Sequence, residues 1–182
     1  MTFRHSGLFL AAALFLLSGC TTSLSKGDDR RTAGTYIEDG TIEETAISRI
    51  NKKFKDQVRV NVNSYNRKAL VTGEVADEAT RTDINRIIMG VQNVTAINNE
   101  LTIGPLAPLT SRSSDAITTS NVALRMRDSG KDLRGEKIKV VTENGTVYLL
   151  GLTTRAEADI AKNVASTSSG VKKVVTLFEY ID

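Results

Sequence analysis

An internal repeat is the feature that most limits the folds open to this 182-residue chain. Residues 59–73 align without gaps with residues 137–151, and both stretches read as a strand, a polar turn and a second strand that ends in glycine. A Gly-Val pair follows at 90–91 in the first copy and at 170–171 in the second. Chance similarity between short β-rich stretches would not preserve this order. The sequence therefore predicts two copies of one structural unit.

The first copy predicts the order helix–strand–strand–helix–strand. Thr41 and Glu44 form a capping-box pattern, which predicts that the first helix begins there. Residues 59–63 alternate between polar and apolar with a period of two, which is typical of a strand with one buried face. The other predicted boundaries of this copy are a turn at Asn66-Arg67, a helix cap at Asp77, a helix end at Gly90 and a last strand over 91–103.

The second copy predicts the same order from its own signals. Asn144-Gly145 is a strong two-residue hairpin signal, because both residues tolerate positive φ. Thr154 and Glu157 form a second capping box. The other predicted elements are a first helix from about 115 to 127, a helix end at Gly170 and a final strand over 174–181.

The fold class predicted for each copy is α+β, with two helices on one face of a three-stranded sheet. A unit of roughly 65 residues has a small core, so we expect the two units to pack on each other. Four glycines are expected to be structural. Gly73 and Gly151 are expected to end strands, and Gly90 and Gly170 to cap helices with positive φ.

The N-terminal residues read as a targeting signal. Arg4 precedes ten consecutive apolar residues over 8–17, a run too short to span a membrane but suited to a secretory signal. The run leads into Leu17-Ser18-Gly19-Cys20, which resembles the lipobox of bacterial lipoproteins. The alternatives are an ordinary signal peptide with an incidental cysteine and, less favoured because the run is short, an uncleaved anchor.

The lipobox resemblance implies that residues 1–19 are removed as a signal peptide and that Cys20 becomes the lipidated N-terminus. Its sulfur would carry diacylglycerol and its amine a further acyl chain, and several chains anchor a protein stably where one does not. In such lipoproteins an Asp after the cysteine tends to retain the protein at the inner membrane. Thr21 therefore favours the outer membrane, with the protein facing the periplasm.

Composition divides the rest of the chain. Residues 20–38 are polar, lack an apolar period and are predicted to form a flexible tether, and Asp28 to Arg31 read as solvated charge within it. Both prolines lie in 104–114, which is predicted to be a linker. The two predicted domains are therefore 39–103 and 115–182.

Composition also argues against catalysis. The single histidine and the single cysteine lie within the first twenty residues, so the mature chain would have no histidine and no free thiol. Two Ser-x-x-Lys spacings, at Ser23 and Ser169, lack the surrounding motifs of an acyltransferase. We expect no enzymatic activity, no small-molecule substrate, no metal site and no cofactor apart from the lipid on Cys20. A net charge of +3 also gives little support to nucleic-acid binding.

The two copies resemble BON domains, on the basis of the strands ending in Gly73 or Gly151, the capped helix after each, and the Gly-Val pairs. Residues 140–152 resemble the second domain of dual-BON outer-membrane lipoproteins especially closely. The resemblance implies a periplasmic lipoprotein that supports outer-membrane integrity and acts in cell division and outer-membrane stress. It also implies that the second domain binds anionic phospholipid through its first helix, which helps to place the protein at the division site.

Basic and apolar residues in 112–139 fit this expectation, with seven basic against four acidic side chains. Near an anionic bilayer each basic group contributes on the order of 1 kcal/mol. The related proteins have an aromatic residue where this chain has Ala116, so we expect weak, salt-sensitive binding to phosphatidylglycerol or cardiolipin. The candidate lipid contacts are Arg112, Ala116, Ile117, Ser120, Leu124, Arg125, Arg127, Lys131 and Leu133.

Two alternatives remain at this point. Ile117 and Leu124 could belong to the core, with the charges forming an ordinary solvated face. The same residues could instead bind another envelope protein, for example an activator of a peptidoglycan amidase, which would make the chain a scaffold or regulator.

Overall fold

The computed structural model describes residues 29–129, Leu133 and residues 137–182. In this part of the chain the two halves contain the same elements in the same order, with one short 3₁₀ turn (Lys55–Gln57) after the first helix. The first half contains α1 (Ala33–Phe54), β1 (Arg59–Tyr65), β2 (Lys68–Val75), α2 (Glu78–Met89) and β3 (Ala96–Ile103). The second half contains α3 (Leu109–Asp128), β4 (Ile138–Glu143), β5 (Thr146–Thr153), α4 (Arg155–Ser166) and β6 (Lys173–Tyr180). The predicted fold class and element order are confirmed.

Each half forms one three-stranded sheet with the middle strand in sequence at its centre. β2 pairs antiparallel with β1 and parallel with β3, and β5 pairs in the same way with β4 and β6. The helix α2 or α4 provides the crossover between the two parallel strands, as a parallel pair requires. The repeat in the sequence is therefore a repeat of chain path.

The two hairpin turns lie where the sequence predicts them, and the residues of both have positive φ: 52° and 64° at Asn66 and Arg67, and 51° and 79° at Asn144 and Gly145. A buried aspartate on the first helix of each half holds the turn. The carboxylate of Asp39 accepts hydrogen bonds from the backbone N–H groups of Asn66 (2.8 Å) and Arg67 (2.7 Å). Asp115 accepts from the corresponding groups of Asn144 and Gly145 at 2.7 and 2.8 Å.

The predicted starts of both first helices are wrong. α1 begins at Ala33 after the N-cap Thr32, so residues 33–38 are helical and not a flexible tether, and Thr41 lies inside the helix. α3 begins at Leu109, so residues 109–114 of the predicted linker are also helical. The physical reason in α1 is that its buried stripe continues toward the N-terminus through Thr35 and Asp39, polar residues that a hydrophobic pattern does not register.

The last strand of the first half also begins later than predicted, at Ala96 and not at residue 91. Asn93 has a φ of 70°, a left-handed conformation that interrupts an extended backbone. Val91 is buried, but it belongs to the connection after α2.

The glycines are structural for reasons that differ from those predicted. Gly73 and Gly151 do not end strands, since β2 continues to Val75 and β5 to Thr153. A Cβ at Gly73 would lie 1.9 Å from the carbonyl oxygen of Arg59, and one at Gly151 would lie 2.7 Å from that of Lys137. At both positions glycine therefore permits a close approach of the neighbouring strand.

The two glycines predicted to cap helices differ from each other. Gly170 has the expected positive φ, 86°, but α4 ends at Ser166 with Thr167 as its C-cap, so the prediction that Gly170 ends the helix is wrong. A Cβ at Gly170 would lie 2.3 Å from the hydroxyl of Thr118. Gly90 has a φ of −81°, so the prediction of a left-handed cap is wrong at that position.

The sheets lie inside the molecule and the helices outside. In each half the two helices cover one face of the sheet, forming a core that includes Ile50 and Ile84 in the first half and Met126 and Ala161 in the second. The opposite faces of the two sheets meet in a third apolar cluster of Tyr65, Leu70, Tyr148 and Leu150. The expectation that the two units pack on each other is confirmed.

Buried ion pairs surround this interface. The guanidinium of Arg59 donates to Glu74 at 2.5 and 2.6 Å and also to Glu143 across the interface. Burial by itself would raise the pKa of Glu74, but hydrogen bonds from Arg59, Asn144 and the backbone N–H of Ala107 outweigh it and lower this pKa. Because a buried charge without its partner is strongly destabilising, these pairs fix how one sheet sits on the other.

Candidate functional site

The outer face of α3 carries an apolar ridge, formed by Leu109, Ile117 and Leu124 with Ala116 and Ser120 beside them. Ile117 is 63% exposed and Leu124 is 55% exposed. The alternative that these two residues belong to the core is therefore wrong. An exposed row of large aliphatic side chains along one helix is typical of a contact surface.

The opposite face of α3 explains why the ridge is exposed. Asp115, Thr118, Val122 and Met126 are buried and recur at the spacing of helical turns. This stripe packs on β4 and α4. Since Asp115 binds the turn at Asn144 and Gly145, the rotation of the helix is fixed with Ile117 and Leu124 outward.

Two candidate lipid contacts, Leu133 and Lys131, lie beyond the end of α3 in the sequence. Leu133 is only 1% exposed and packs in the core of the second half, so its assignment as a lipid contact is wrong. A buried leucine after a helix has the same sequence pattern as an exposed one, and only its contacts separate them. Lys131 lies outside the described residues.

Arg125 is held by its own domain. Its guanidinium donates to the carbonyl oxygen of Val164 and to the hydroxyls of Thr167 and Ser168, at 2.7 to 3.1 Å. Those groups lie at the C-terminal end of α4, where a cation also complements the helix dipole. Arg125 therefore connects α3 to α4, and its part in lipid contact stays a prediction.

The other basic residues of this region are divided between internal partners and solvent. Lys137 donates to Glu157 at 3.1 Å, and Lys139 forms an ion pair with Glu43 of the first half. Arg112 and Arg127 are exposed, one near each end of α3. Within the described residues the cationic character of the ridge thus depends on these two side chains.

Arg112 and Ala116 border an open cleft between the two halves. Its other wall is provided by Arg59 and Asn61 of β1. Ala116 therefore lies where the ridge meets the cleft.

Leu109 is a ridge residue that is absent from the sequence-based prediction. It is 69% exposed and lies in the predicted linker. The signal was present, because Leu109, Ile117 and Leu124 are separated by eight and seven residues and so share one helix face.

The entry of the chain into the fold is a second feature that the sequence did not reveal. Arg30 donates to Glu157 at 2.6 and 2.8 Å and to the carbonyl oxygen of Leu152, all in the second half. Arg31 donates to Asp39 of the first half at 2.8 Å and its guanidinium lies 4.0 Å from the ring centre of Tyr65. Interpreting these arginines as solvated charge was wrong, since they connect the entering chain to both domains.

Glu157 is the acceptor at the centre of this connection. Burial opposes its ionisation, but hydrogen bonds from Arg30, from the backbone N–H of Thr154 and from Lys137 outweigh burial and lower its pKa to about 2. The carboxylate also completes the capping box of α4 that the sequence predicts.

Neither a membrane-spanning helix nor a metal site is found among the described residues. No described helix combines the length and the apolarity that crossing a bilayer requires. In the same part of the chain, no three histidine, cysteine or acidic side chains come together in a way that could hold a metal ion.

Comparison with known proteins decides the family. The family model for the BON domain matches this chain twice, over residues 38–105 and 114–182. The outer membrane lipoprotein DolP of Haemophilus influenzae is 35% identical over 189 aligned residues, which cover 98% of this chain and 97% of the relative. The chain belongs to the DolP family of outer-membrane lipoproteins.

Two further similar proteins share less of their sequence with this member of the DolP family. The 21 kDa hemolysin of Actinobacillus pleuropneumoniae is 31% identical, covering 84% of this chain and 79% of that protein. A solved structure of CdsD, a structural protein of the type III secretion system of Chlamydia trachomatis, aligns with a TM-score of 0.32 at 13% identity, covering 80% of this chain and 92% of that one. The names of these relatives do not describe enzymes.

Proposed function

We propose that this chain is lipidated on Cys20, faces the periplasm from the outer membrane and binds anionic phospholipid through α3 of its second domain. Its role would be to support outer-membrane integrity, near the division site. The observation that carries the proposal is the apolar ridge of α3, which the fold leaves exposed although Ile117 and Leu124 are large aliphatic residues.

The charges on α3 support a negatively charged target. Asp115 is the only acidic residue between Leu109 and Arg127, and its carboxylate is turned inward to the turn at residues 144–145. Arg112 and Arg127 remain exposed beside the ridge. A bilayer containing phosphatidylglycerol or cardiolipin offers acyl chains for the ridge and headgroup phosphates for the arginines.

The position of the entering chain also fits a membrane contact. The backbone from Cys20 to Asp29 spans at most about 30 Å. Arg30 binds Glu157, and Glu157 also binds Lys137, which follows the segment after α3. An anchor on Cys20 would therefore keep the second domain close to the bilayer.

The lipid contact is tested by flotation of the chain from residue 21 onward, which lacks the anchor, with vesicles of phosphatidylcholine alone or with phosphatidylglycerol or cardiolipin. We expect weak binding to the anionic vesicles only, reduced by added salt. The double variant Ile117→Ser/Leu124→Ser should bind at least about tenfold more weakly, because burial of each side chain contributes on the order of 1–3 kcal/mol.

A matched control removes exposed apolar area elsewhere. Met89 and Ile103 are 52% and 47% exposed in the first domain, and Met89→Ser/Ile103→Ser should bind like the unmodified chain. Equal affinity for neutral and anionic vesicles would contradict the proposal. The absence of any binding would favour an envelope scaffold that binds a protein through α3, and mass spectrometry showing an unmodified thiol at Cys20 would exclude the anchor.

A further inference from the structure

One end of the molecule, where the chain from Cys20 enters the fold, carries an exposed apolar surface that the α3 contact does not use. Tyr36 and Ile37 lie in the first turn of α1 and are 62% and 67% exposed. Tyr180 and Ile181 lie at the end of β6 and are about half exposed. These four residues, two from each domain, are called the tether-side patch.

The two halves of the patch flank the turn at Asn66 and Arg67. Arg67 forms an ion pair with Glu38, which follows Ile37 in sequence. The side-chain amide of Asn66 donates to Glu179, which precedes Tyr180, at 3.0 Å. The residues next to the two Tyr-Ile pairs, Glu38 and Glu179, therefore both bind this one hairpin turn.

The entering chain passes through the same place. Arg31 lies 4.9 Å from the ring centre of Tyr36, and Arg30 binds Glu157 at the start of α4. Arg155, also at the start of α4, lies 4.6 Å from the ring centre of Tyr180. Each tyrosine of the patch thus has an arginine over its ring, at the point where the tether leaves the fold.

The patch has little net charge, because the charged groups around it balance. Arg67 pairs with Glu38, Lys68 with Glu179, and Arg30 with Glu157. Arg155, over the ring of Tyr180, is offset by the nearby Asp182, whose carboxylate accepts a hydrogen bond from the Arg155 backbone N–H at 3.0 Å. The surface is therefore unlike α3, where Arg112 and Arg127 favour an anionic target. A contact through the patch would depend on apolar burial and on the tyrosines, and not on the charge of its partner.

We propose that the tether-side patch rests in the headgroup region of the same leaflet that holds the acyl chains of Cys20. This rests on the anchoring proposed above. The membrane is the proposed partner of the patch because the lipidated Cys20 is close in sequence: only eight residues lie between Cys20 and Asp29. This connection reaches at most about 30 Å when fully extended. Tyrosine suits the headgroup depth, since its ring is apolar and its hydroxyl is polar, and isoleucine buries aliphatic area beside it.

The experiment uses the natural absence of tryptophan from the sequence. Single-tryptophan reporters are placed in the full-length lipidated chain by Tyr36→Trp and Tyr180→Trp, and the chain is reconstituted in vesicles containing brominated phosphatidylcholine. The control reporter is Leu106→Trp. Leu106 is also about half exposed, but it adjoins Ala107, whose backbone N–H donates to Glu74. Glu74 lies at the opposite end of β2 from the turn at residues 66–67.

In vesicles without phosphatidylglycerol, where the α3 contact is not expected to form, the reporters at positions 36 and 180 should be quenched at least twofold more than the control. Both should stay quenched when phosphatidylglycerol is added, whereas the control, three residues from Leu109 of α3, is compared only in the neutral vesicles. Quenching no stronger than that of the control would overturn the proposal. An Ala116→Trp reporter on α3 separates the two contacts, because it should be quenched only when anionic lipid is present. If it stays unquenched while positions 36 and 180 are quenched, the patch is supported and the α3 contact fails. A chain that does not float with the vesicles would overturn both.

Discussion

The first helices of the two domains, α1 and α3, bury corresponding positions and differ on their outer faces. Each buried position of α3 has a buried counterpart in α1: Asp115 with Asp39, Thr118 with Ile42, Val122 with Ala46, and Met126 with Ile50. On the outer face, Thr41 of α1 corresponds to Ile117 of α3, and Ser48 corresponds to Leu124. The buried positions thus preserve the fold, whereas the apolar ridge is particular to the second domain.

The same comparison separates structural from functional arginines. Arg49 of α1 corresponds to Arg125 of α3, and its guanidinium donates to the carbonyl oxygen of Gly90 at the end of α2. Arg125 makes the equivalent contacts at the end of α4. A residue with the same role in both copies is needed by the fold, so it gives little support to a function found in one copy only.

The largest expected effect concerns the paired glycines, Gly73 and Gly151. Gly73→Ala should lower the free energy of unfolding by about 3 kcal/mol or more. The reason is that Gly73 has a φ of 123°, and a Cβ there would lie 1.9 Å from a backbone oxygen. Gly151→Ala should have a smaller effect, about 2 kcal/mol. Its Cβ would lie 2.7 Å from the nearest backbone oxygen, and its φ is outside the left-handed region. Urea unfolding measures both.

The control for this pair is Gly40→Ala in α1. A Cβ at Gly40 has no neighbouring atom within 4 Å. Alanine should therefore stabilise the helix by up to about 1 kcal/mol. If Gly73→Ala and Gly151→Ala cost the same amount, the close approach at Gly73 would not explain why glycine occupies that position.

An intermediate effect concerns the carboxylates at the start of α2 and α4. Asp77 is exposed, and its pKa is lowered chiefly by the backbone N–H of Thr80. Glu157 has a pKa of about 2 and binds Arg30 of the entering chain. Glu157→Gln keeps a side chain that can complete a capping box but removes the charge, so it should cost about 1–3 kcal/mol near pH 7.

The pH dependence of this effect follows from the direction of the shift. A carboxylate whose pKa is lower in the folded state contributes its full stability above the unfolded value, near 4.5, and loses it as the pH falls toward 2. The gap in urea midpoint between the unmodified chain and Glu157→Gln should therefore be constant from pH 7 to 6 and narrow toward pH 3. A gap that does not change with pH would show that the ion pair contributes nothing.

Much of the fold was predictable because the strongest signals are local. The turn residues Asn66 and Asn144-Gly145 and the capping box of Thr154 and Glu157 act within a few residues of themselves, and the structure has them where the sequence predicts. The extension of α1 back to Ala33 was not predictable in this way. Its reason is that Asp39 must reach the turn at residues 66–67, a contact between residues distant in sequence.

The site was predictable in part for the same reason. Helical spacing selected Ile117 and Leu124, but it could not show which helix face packs on the sheet, and the sequence also selected Leu133, which is buried. The sequence-based prediction counted all the basic and acidic residues of 112–139 together. The structure divides that charge, because Arg125, Lys137 and Lys139 have partners within the fold.

The smallest effect on stability, and the sharpest test of the comparison, comes from moving the ridge to the other domain. Thr41→Ile/Ser48→Leu in the Ile117→Ser/Leu124→Ser background changes only surface positions, so the free energy of unfolding should stay within about 0.5 kcal/mol of that of the background variant.

The recovery of lipid binding by this graft should depend on a neighbouring charge. α1 carries Glu44 where α3 has Ser120, and the Glu44 side chain is exposed. We therefore expect weak recovery of binding to phosphatidylglycerol vesicles from the two-residue graft and greater recovery when Glu44→Ser is added. Equal recovery with and without Glu44→Ser would mean that apolar area alone directs this surface to lipid, and no recovery in either case would mean that the ridge needs its neighbours in the second domain, Arg112 and Arg127.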